Sequence, residues 1–156
     1  MNKSELPFLV TLAQIPMIGP KKARLLLSYC GSASEVFKAS KKHLSKIPNI
    51  GLSTIQAIKA CEPKQHFEKF EKYLAKNPDV AIYSYLDKAY PSRLKVYEDA
   101  PLFIFYRGKA DLNPKRTISI VGTRKPSPLG IAQCHQLVES LQHNKVQIIS
   151  GMAYGI

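Results

Sequence analysis

Hydrophobic residues recur along this chain with two different periods, and the period changes near residue 78. In the first part they follow a helical spacing, which begins at Leu6, Leu9, Val10 and Ala13. Pro16 and Gly19 interrupt this spacing before it resumes at Ala23 and Leu26. The pattern therefore predicts an all-helical domain over residues 1–62, with tight turns between its helices.

One interruption occurs twice. Residues 15–19, IPMIG, recur as residues 47–51, IPNIG, and each copy is followed by a helical pattern. A repeat of this kind indicates duplicated structure. It is similar to the helix-hairpin-helix motif, in which the turn glycine exposes backbone N–H groups at the next helix N-terminus. Such a helix end suits a phosphate group.

Lys21 and Lys22 lie directly after the first turn, with Arg24 close behind, whereas Leu52, Ser53 and Thr54 follow the second turn. The first hairpin is therefore the better candidate for contact with a nucleic-acid backbone. The alternative, that both hairpins are packing units only, stays open at this point.

A charged helical pattern from Pro63 to Lys76 predicts a connector helix, and we place a domain boundary over residues 63–78. Residues 79–156 then predict strands over 80–84, 101–108, 118–121 and 146–149, with a helix between the last two. Strand, helix, strand is a β-α-β unit whose two strand ends meet at one sheet edge. The fold class is thus α/β, with a tandem helix-hairpin-helix (SAM-like) domain followed by the first part of a Rossmann-like parallel sheet domain.

Each of the last two strands ends in a loop of small residues. In the first loop Gly122 permits close backbone approach, Thr123 follows it, and Arg124 and Lys125 supply positive charge. Ser127 stands where a helix N-cap is expected, before Pro128. This combination predicts phosphate binding, although a tight β-α turn with no ligand would use similar residues.

The second loop contains Ser150, Gly151 and Gly155, and we expect it at the same sheet edge. Tyr154 in this loop could stack on a nucleobase or pack beneath a following helix. Neither loop has the GxGxxG spacing of a dinucleotide site or a Walker A sequence.

Composition supports a polyanionic partner. The formal net charge is +12, and it divides equally before and after residue 62.

No apolar run is long enough to span a membrane and no signal sequence is visible, so we expect a cytoplasmic protein with no membrane partner. The histidines and the three cysteines lack metal-ligand spacing, so we expect neither a metal nor another cofactor. No catalytic constellation is visible, and we expect no enzyme.

Several spaced motifs occur together in one chain order. They are residues 90–94, YPSRL; 100–102, APL, with Gly108; 120–124, IVGTR; 127–130, SPLG; and 150–156, SGMAYGI. Together they resemble one family, the DNA-processing protein A family (DprA, also called Smf). The resemblance runs from about residue 80 onwards. It implies a Rossmann-like domain that binds single-stranded DNA without strong sequence preference and hands it to the RecA recombinase during transformation. It assigns Gly122, Thr123 and Arg124 to the phosphate-gripping loop, and Ser150, Gly151 and Gly155 to the second loop.

The resemblance also implies that an aspartate and further strands and helices follow the second loop. We therefore expect this chain to be a fragment whose Rossmann-like domain is incomplete, with the family's homodimer interface and RecA-binding surface mostly outside it.

Two other functions remain as alternatives. One is a Rossmann-like enzyme that binds or hydrolyses nucleotides, which should show an acidic pair near the second loop. The other is a protein-interaction module built on the hairpins alone, which leaves the Gly122 loop unexplained.

Overall fold

The computed structural model describes the backbone of residues 3–156 and the side chains of residues 4–63, 65 and 67–156. Contacts divide the chain into two compact units, Met1–Leu112 and Asn113–Ile156. We refer to them as the N-terminal unit and the C-terminal unit. This division by contacts differs from the domain boundary expected over residues 63–78, which stays a prediction.

The N-terminal unit begins with helices, as the sequence predicts. They are α1 (Leu6–Gln14), α2 (Pro20–Cys30), α3 (Ala33–Lys38), α4 (Lys41–Leu44), α5 (Leu52–Ala60) and α6 (Pro63–Lys76), with a 3-10 turn over Lys3–Glu5. Ser32 caps α3 by accepting a hydrogen bond from the Glu35 N–H at 3.2 Å. Ser34 lies within α3, where its N–H and its hydroxyl both donate to the Glu5 carboxylate.

The two repeated turns have the same backbone conformation. Met17 has a φ of 70° and Asn49 a φ of 61°, each directly after the turn proline. The N–H of Ile18 donates to the Ile15 carbonyl at 3.1 Å, and the equivalent bond closes the second turn at 3.3 Å. Proline followed by a positive φ is the geometry of a type II turn. The duplication that the sequence indicates is therefore confirmed.

The core of the N-terminal unit lies among these helices. The isoleucines of the two turns are buried in one cluster with residues of the helices. The cluster includes Ile15, Ile18, Ile47, Ile50, Leu12, Leu26, Val36, Leu44, Ile55 and Ile58. A second cluster contains Val10, Phe67 and Phe70, and joins α1 to α6. Phe103 packs against both clusters, so the following strands belong to the same core.

Strands β1 (Val80–Ser84) and β2 (Phe103–Arg107) complete the N-terminal unit as an antiparallel pair, with the short helix α7 (Ser92–Lys95) between them. Ile82 lies opposite Phe105 in this register. The sequence interpretation placed these strands in a parallel sheet domain. That detail is wrong for this pair because its connection contains only a four-residue helix and irregular turns, whereas a parallel connection commonly uses a full crossover helix.

The C-terminal unit is a β-α-β unit made of β3 (Thr117–Ser119), α8 (Pro128–Leu141), a 3-10 turn over Gln142–Asn144, and β4 (Gln147–Ile149). The two strands are parallel, and Ile118 lies opposite Ile148. The helical module and this parallel pair confirm the α/β fold class. None of residues 113–156 is buried, although half-buried apolar side chains lie in both strands and in α8.

Candidate nucleic-acid interface

The parallel register brings the two glycine loops together. The N–H of Ile120 donates to the carbonyl of Ile149 at 3.0 Å, so both strands end at the same edge. Beyond that point the N–H of Ile156 donates to the carbonyl of Thr123 at 3.2 Å. The first loop, residues 120–127, therefore contacts the second loop, residues 150–156, through the backbone.

Two glycines allow this contact. A Cβ built on Gly122 would lie 2.6 Å from the Cβ of Ile156, closer than real side chains approach. A Cβ on Gly155 would overlap the carbonyl oxygen of Thr123 and lie 2.7 Å from the Cα of Arg124. Gly155 also has a φ of 112°, which L side chains rarely adopt. Each loop thus uses one glycine to accommodate the other loop.

Helix α8 begins at this edge with the cap that the sequence predicts. The Oγ of Ser127 accepts a hydrogen bond from the N–H of Gly130 at 3.2 Å, and Pro128 occupies the first turn. This cap leaves other first-turn N–H groups without an intrahelical carbonyl, as at any helix start. The partial positive charge of the helix end is therefore directed towards the same loops.

The charged side chains of the first loop are exposed. Within the part of the chain that the structure describes, no ion pair engages Arg124 or Lys125. The N–H of Lys125 donates to the Thr123 Oγ1 at 3.2 Å, which fixes the backbone between the two residues. Both cations remain accessible to an anion.

The second loop is also open to solvent. The Oγ of Ser150 accepts from the N–H of Met152 at 3.4 Å, and a Cβ on Gly151 would meet no atom within 4 Å. Tyr154 is 95% exposed, so its ring is free of neighbours that would prevent stacking. The structure thus brings together Gly122, Thr123 and Arg124 with Gly155, and places Lys125, Ser150 and Gly151 in the same two loops.

Lys21 and Lys22 belong to the N-terminal unit, at the start of α2. The ammonium of Lys21 forms an exposed ion pair with the carboxylate of Glu98. Their mutual hydrogen bond raises the pKa of Lys21 and lowers the pKa of Glu98. Lys22 is half-buried.

Arg24, the third basic residue of the first hairpin, is directed inward. Its Nη1 donates to the carbonyl of Tyr97 at 2.9 Å, and its guanidinium carbon lies 5.1 Å from the centre of the Tyr85 ring. The Nε and Nη2 atoms are buried and have no hydrogen-bond partner among the described residues. The π face of Tyr85 compensates part of that charge, and burial raises the pKa of Tyr85 while Arg24 opposes the rise.

Sequence reasoning missed the segment that supplies these partners. Tyr85, Tyr97 and Glu98 lie more than 60 residues along the chain from Lys21 and Arg24, which they contact, and no local pattern connects them. The nearest signal was the pair of motifs that begin at Tyr90 and Ala100. Tyr90 is fully buried, and its hydroxyl donates to the carbonyl of Pro101 at 2.8 Å. This hydrogen bond joins the two motifs, and Tyr97 and Glu98 lie between them in the chain.

The N-terminal unit therefore contains a tandem helix-hairpin-helix module, and the C-terminal unit is a Rossmann-like β-α-β element with paired glycine loops at one sheet edge. Residues 9–61 match the family model described as a SAM-like helix-hairpin-helix tandem. Residues 81–156, just under half of the chain, match the model described as DNA recombination-mediator protein A.

Curated relatives agree with these matches. The DNA processing protein DprA of Streptococcus pneumoniae is 32% identical over 94 residues, which are 60% of this chain and 33% of the relative. Protein Smf of Synechocystis is 25% identical over 161 residues, covering 100% of this chain and 40% of the relative. UvrABC system protein C of Shewanella loihica is 46% identical over 48 residues, which are 31% of this chain and 8% of the relative.

Residues 81–156 of this chain belong to the DNA-processing protein A family, whose curated members are named DprA and Smf. The chain spans about a third of the DprA relative's length and two fifths of the Smf relative's length. Among residues 3–156, no helix has both the length and the apolar character that a membrane span requires.

Proposed function

We propose that this chain provides part of a single-stranded DNA-binding site that serves DNA processing during natural transformation. The observation that carries the proposal is the contact between the two glycine loops at the shared edge of β3 and β4. That contact positions exposed Arg124 and Lys125 beside the N-terminus of α8. The membership in a DNA recombination-mediator family supports the choice of DNA as the polyanion.

The chemistry proposed for this edge is phosphate recognition without base readout. Arg124 offers a planar fork of donors that fits two phosphate oxygens, and Lys125 adds a mobile charge. Gly122 and Gly155 allow the two backbones to lie close together, and Ser150 and Gly151 belong to the second loop. Tyr154 provides an exposed aromatic face on which an unpaired base can stack, a contact that duplex DNA does not offer.

At the first hairpin, Lys21 and Lys22 are proposed as additional phosphate contacts. Delivery of the bound strand to RecA, and homodimer formation, enter the proposal through the family alone. We propose no catalytic activity. The alternative is a nucleotide-hydrolysing enzyme, for which residues 113–156 supply one acidic residue, Glu139, rather than a pair.

Fluorescence anisotropy with labelled single-stranded and duplex DNA, measured across a salt series, tests the proposal. We expect tighter binding to the single strand and a steep loss of affinity as salt rises. Arg124→Ala should reduce the slope of log affinity against log salt by about one unit if this side chain holds one phosphate.

Arg116→Ala is the matched control for that experiment. Arg116 is an exposed arginine of the same unit, but it directly precedes β3 and therefore lies at the opposite edge of the strand pair. Its removal changes the net charge equally. An equal loss of slope in both variants would show that overall charge, rather than the Gly122 loop, holds the strand.

A further inference from the structure

The first hairpin has an internal anion at its basic cluster. The carboxylate of Glu98 pairs with Lys21, and the same segment supplies the Tyr97 carbonyl and the Tyr85 ring to Arg24. Two of the three basic side chains that follow the first turn are thus engaged by residues 85–98. A phosphate that approaches this hairpin meets a carboxylate already in contact with its first lysine.

The carboxylate lies in a groove that joins the two hairpins. This groove has a volume of about 590 Å³, and its lining includes Lys21, Lys22 and Glu98 together with Asn49 from the second turn. A DNA backbone that follows both hairpins would pass through it. Glu98 therefore places a negative charge in the path of the phosphates, where it lowers the affinity for them.

The contacts of Lys21 and Arg24 differ in how readily they can be exchanged. The side chains of Lys21 and Glu98 are 77% and 76% exposed, so water and salt screen their attraction. A phosphate can replace the carboxylate without unpacking the unit. Arg24, in contrast, is held against an aromatic ring and has two buried nitrogen atoms. Lys21 is consequently the exchangeable cation and Arg24 the fixed one.

We propose that Glu98 is an intramolecular competitor of DNA phosphate for Lys21, so that the first hairpin binds a strand only by exchanging this carboxylate for a phosphate. The proposal rests on the proposed function, because it assumes that the polyanion at the hairpin is DNA. It adds a restraint on affinity that neither glycine loop contains. Glu98→Gln removes the competing charge and keeps a side chain of similar shape.

The test compares Glu98→Gln with Glu35→Gln in the full chain, using a labelled single-stranded oligonucleotide at low salt. Glu35 also forms an exposed ion pair, with Lys38 on α3, so both variants lose the same charge from a similar contact. We expect Glu98→Gln to bind about two- to fivefold more tightly than the parent, as expected for the loss of an exposed pair. Glu35→Gln should give less than half of that gain.

A double-mutant cycle with Lys21→Gln identifies the lysine concerned. If Glu98 acts on Lys21, the gain from Glu98→Gln should disappear in the Lys21→Gln background. Equal gains from Glu98→Gln and Glu35→Gln, or a gain that persists without Lys21, would overturn the proposal.

The binding measurements on the parent chain and on Glu98→Gln also distinguish this proposal from the proposed function. If the parent chain binds through Arg124 and Glu98→Gln leaves its affinity unchanged, the loop site is supported and the proposal that Glu98 competes with phosphate is overturned. Binding that appears only after Glu98→Gln supports the competitor and shows that the loops alone do not hold the strand. Absence of binding in the parent and in Glu98→Gln overturns both.

Discussion

The two units of this chain differ in the interactions that hold their structures together. The N-terminal unit buries side chains such as Leu12, Leu26 and Val36 completely, whereas the C-terminal unit buries none. In the C-terminal unit the strand ladder and the tight contact of Gly122 and Gly155 with the opposite loop fix the geometry. One unit is held by its core, and the other places its candidate site through backbone contacts.

The two units also differ in their balance of basic and acidic residues. Residues 1–112 contain eighteen basic and ten acidic residues, whereas residues 113–156 contain five basic residues and one acidic residue. Lys21 and Arg24 of the first hairpin accordingly find partners in their own unit, while Arg124 and Lys125 have no ion pair among the described residues. A basic motif in a sequence is thus not equivalent to an accessible basic site in a fold.

The largest expected difference between the units concerns leucine truncation. Leu26→Ala removes a fully buried side chain from the N-terminal core and should destabilise that unit by about 2–5 kcal/mol. Leu137→Ala removes a side chain that is 45% exposed on α8 and should cost less than about 1 kcal/mol. Urea unfolding followed by amide hydrogen exchange reports on the two units separately. Equal losses would mean that the C-terminal unit has a core of comparable density.

An intermediate effect is expected at the contact between the glycine loops. Gly155→Ala forces a Cβ onto the Thr123 carbonyl at a positive φ, which should cost about 1–3 kcal/mol of local strain and separate the loops. The readout is the amide chemical shifts of Thr123 and Arg124, together with exchange of the Ile156 N–H.

Gly151→Ala is the matched variant for the loop fold, because its Cβ would meet no atom within 4 Å and its φ is not positive. The amide shifts of the first loop should therefore stay unchanged in Gly151→Ala. If Gly155→Ala also leaves them unchanged, the close approach of the two loops is not a property of the protein in solution.

The smallest effect is a pH dependence specific to the N-terminal unit. Burial alone would raise the pKa of Glu5, but hydrogen bonds from Ser34 and Ala33 outweigh it and hold the pKa below the ordinary value of 4.5. The unfolded chain therefore takes up this proton at a higher pH than the folded chain does. The stabilisation is present above the ordinary pKa and is lost as the pH falls through the lowered one.

Glu5→Gln should cost about 1 kcal/mol near neutral pH and reduce the acid sensitivity of the urea midpoint. Glu139→Gln makes the same chemical change in the C-terminal unit and should leave that acid sensitivity as it is in the parent. The prediction fails if Glu5→Gln and the parent lose stability in parallel as the pH falls below 4.5.

Local patterns account for the features that sequence reasoning obtained correctly. The proline turns with their following helices, the Ser127 cap and the parallel β-α-β unit each depend on residues close together in the chain. The antiparallel pairing of β1 with β2 could not be obtained in this way, since alternating apolar residues do not specify a partner or a direction.

The sequence by itself determined which residues could bind an anion, because glycine, serine, arginine and lysine carry their donors and charges in any fold. Only the tertiary structure decided which of them are available. It brought Glu98 onto Lys21 and Tyr85 onto Arg24, across separations over which no sequence pattern operates. It also placed the Gly122 and Gly155 loops in contact, because the register of β3 and β4 aligns their ends.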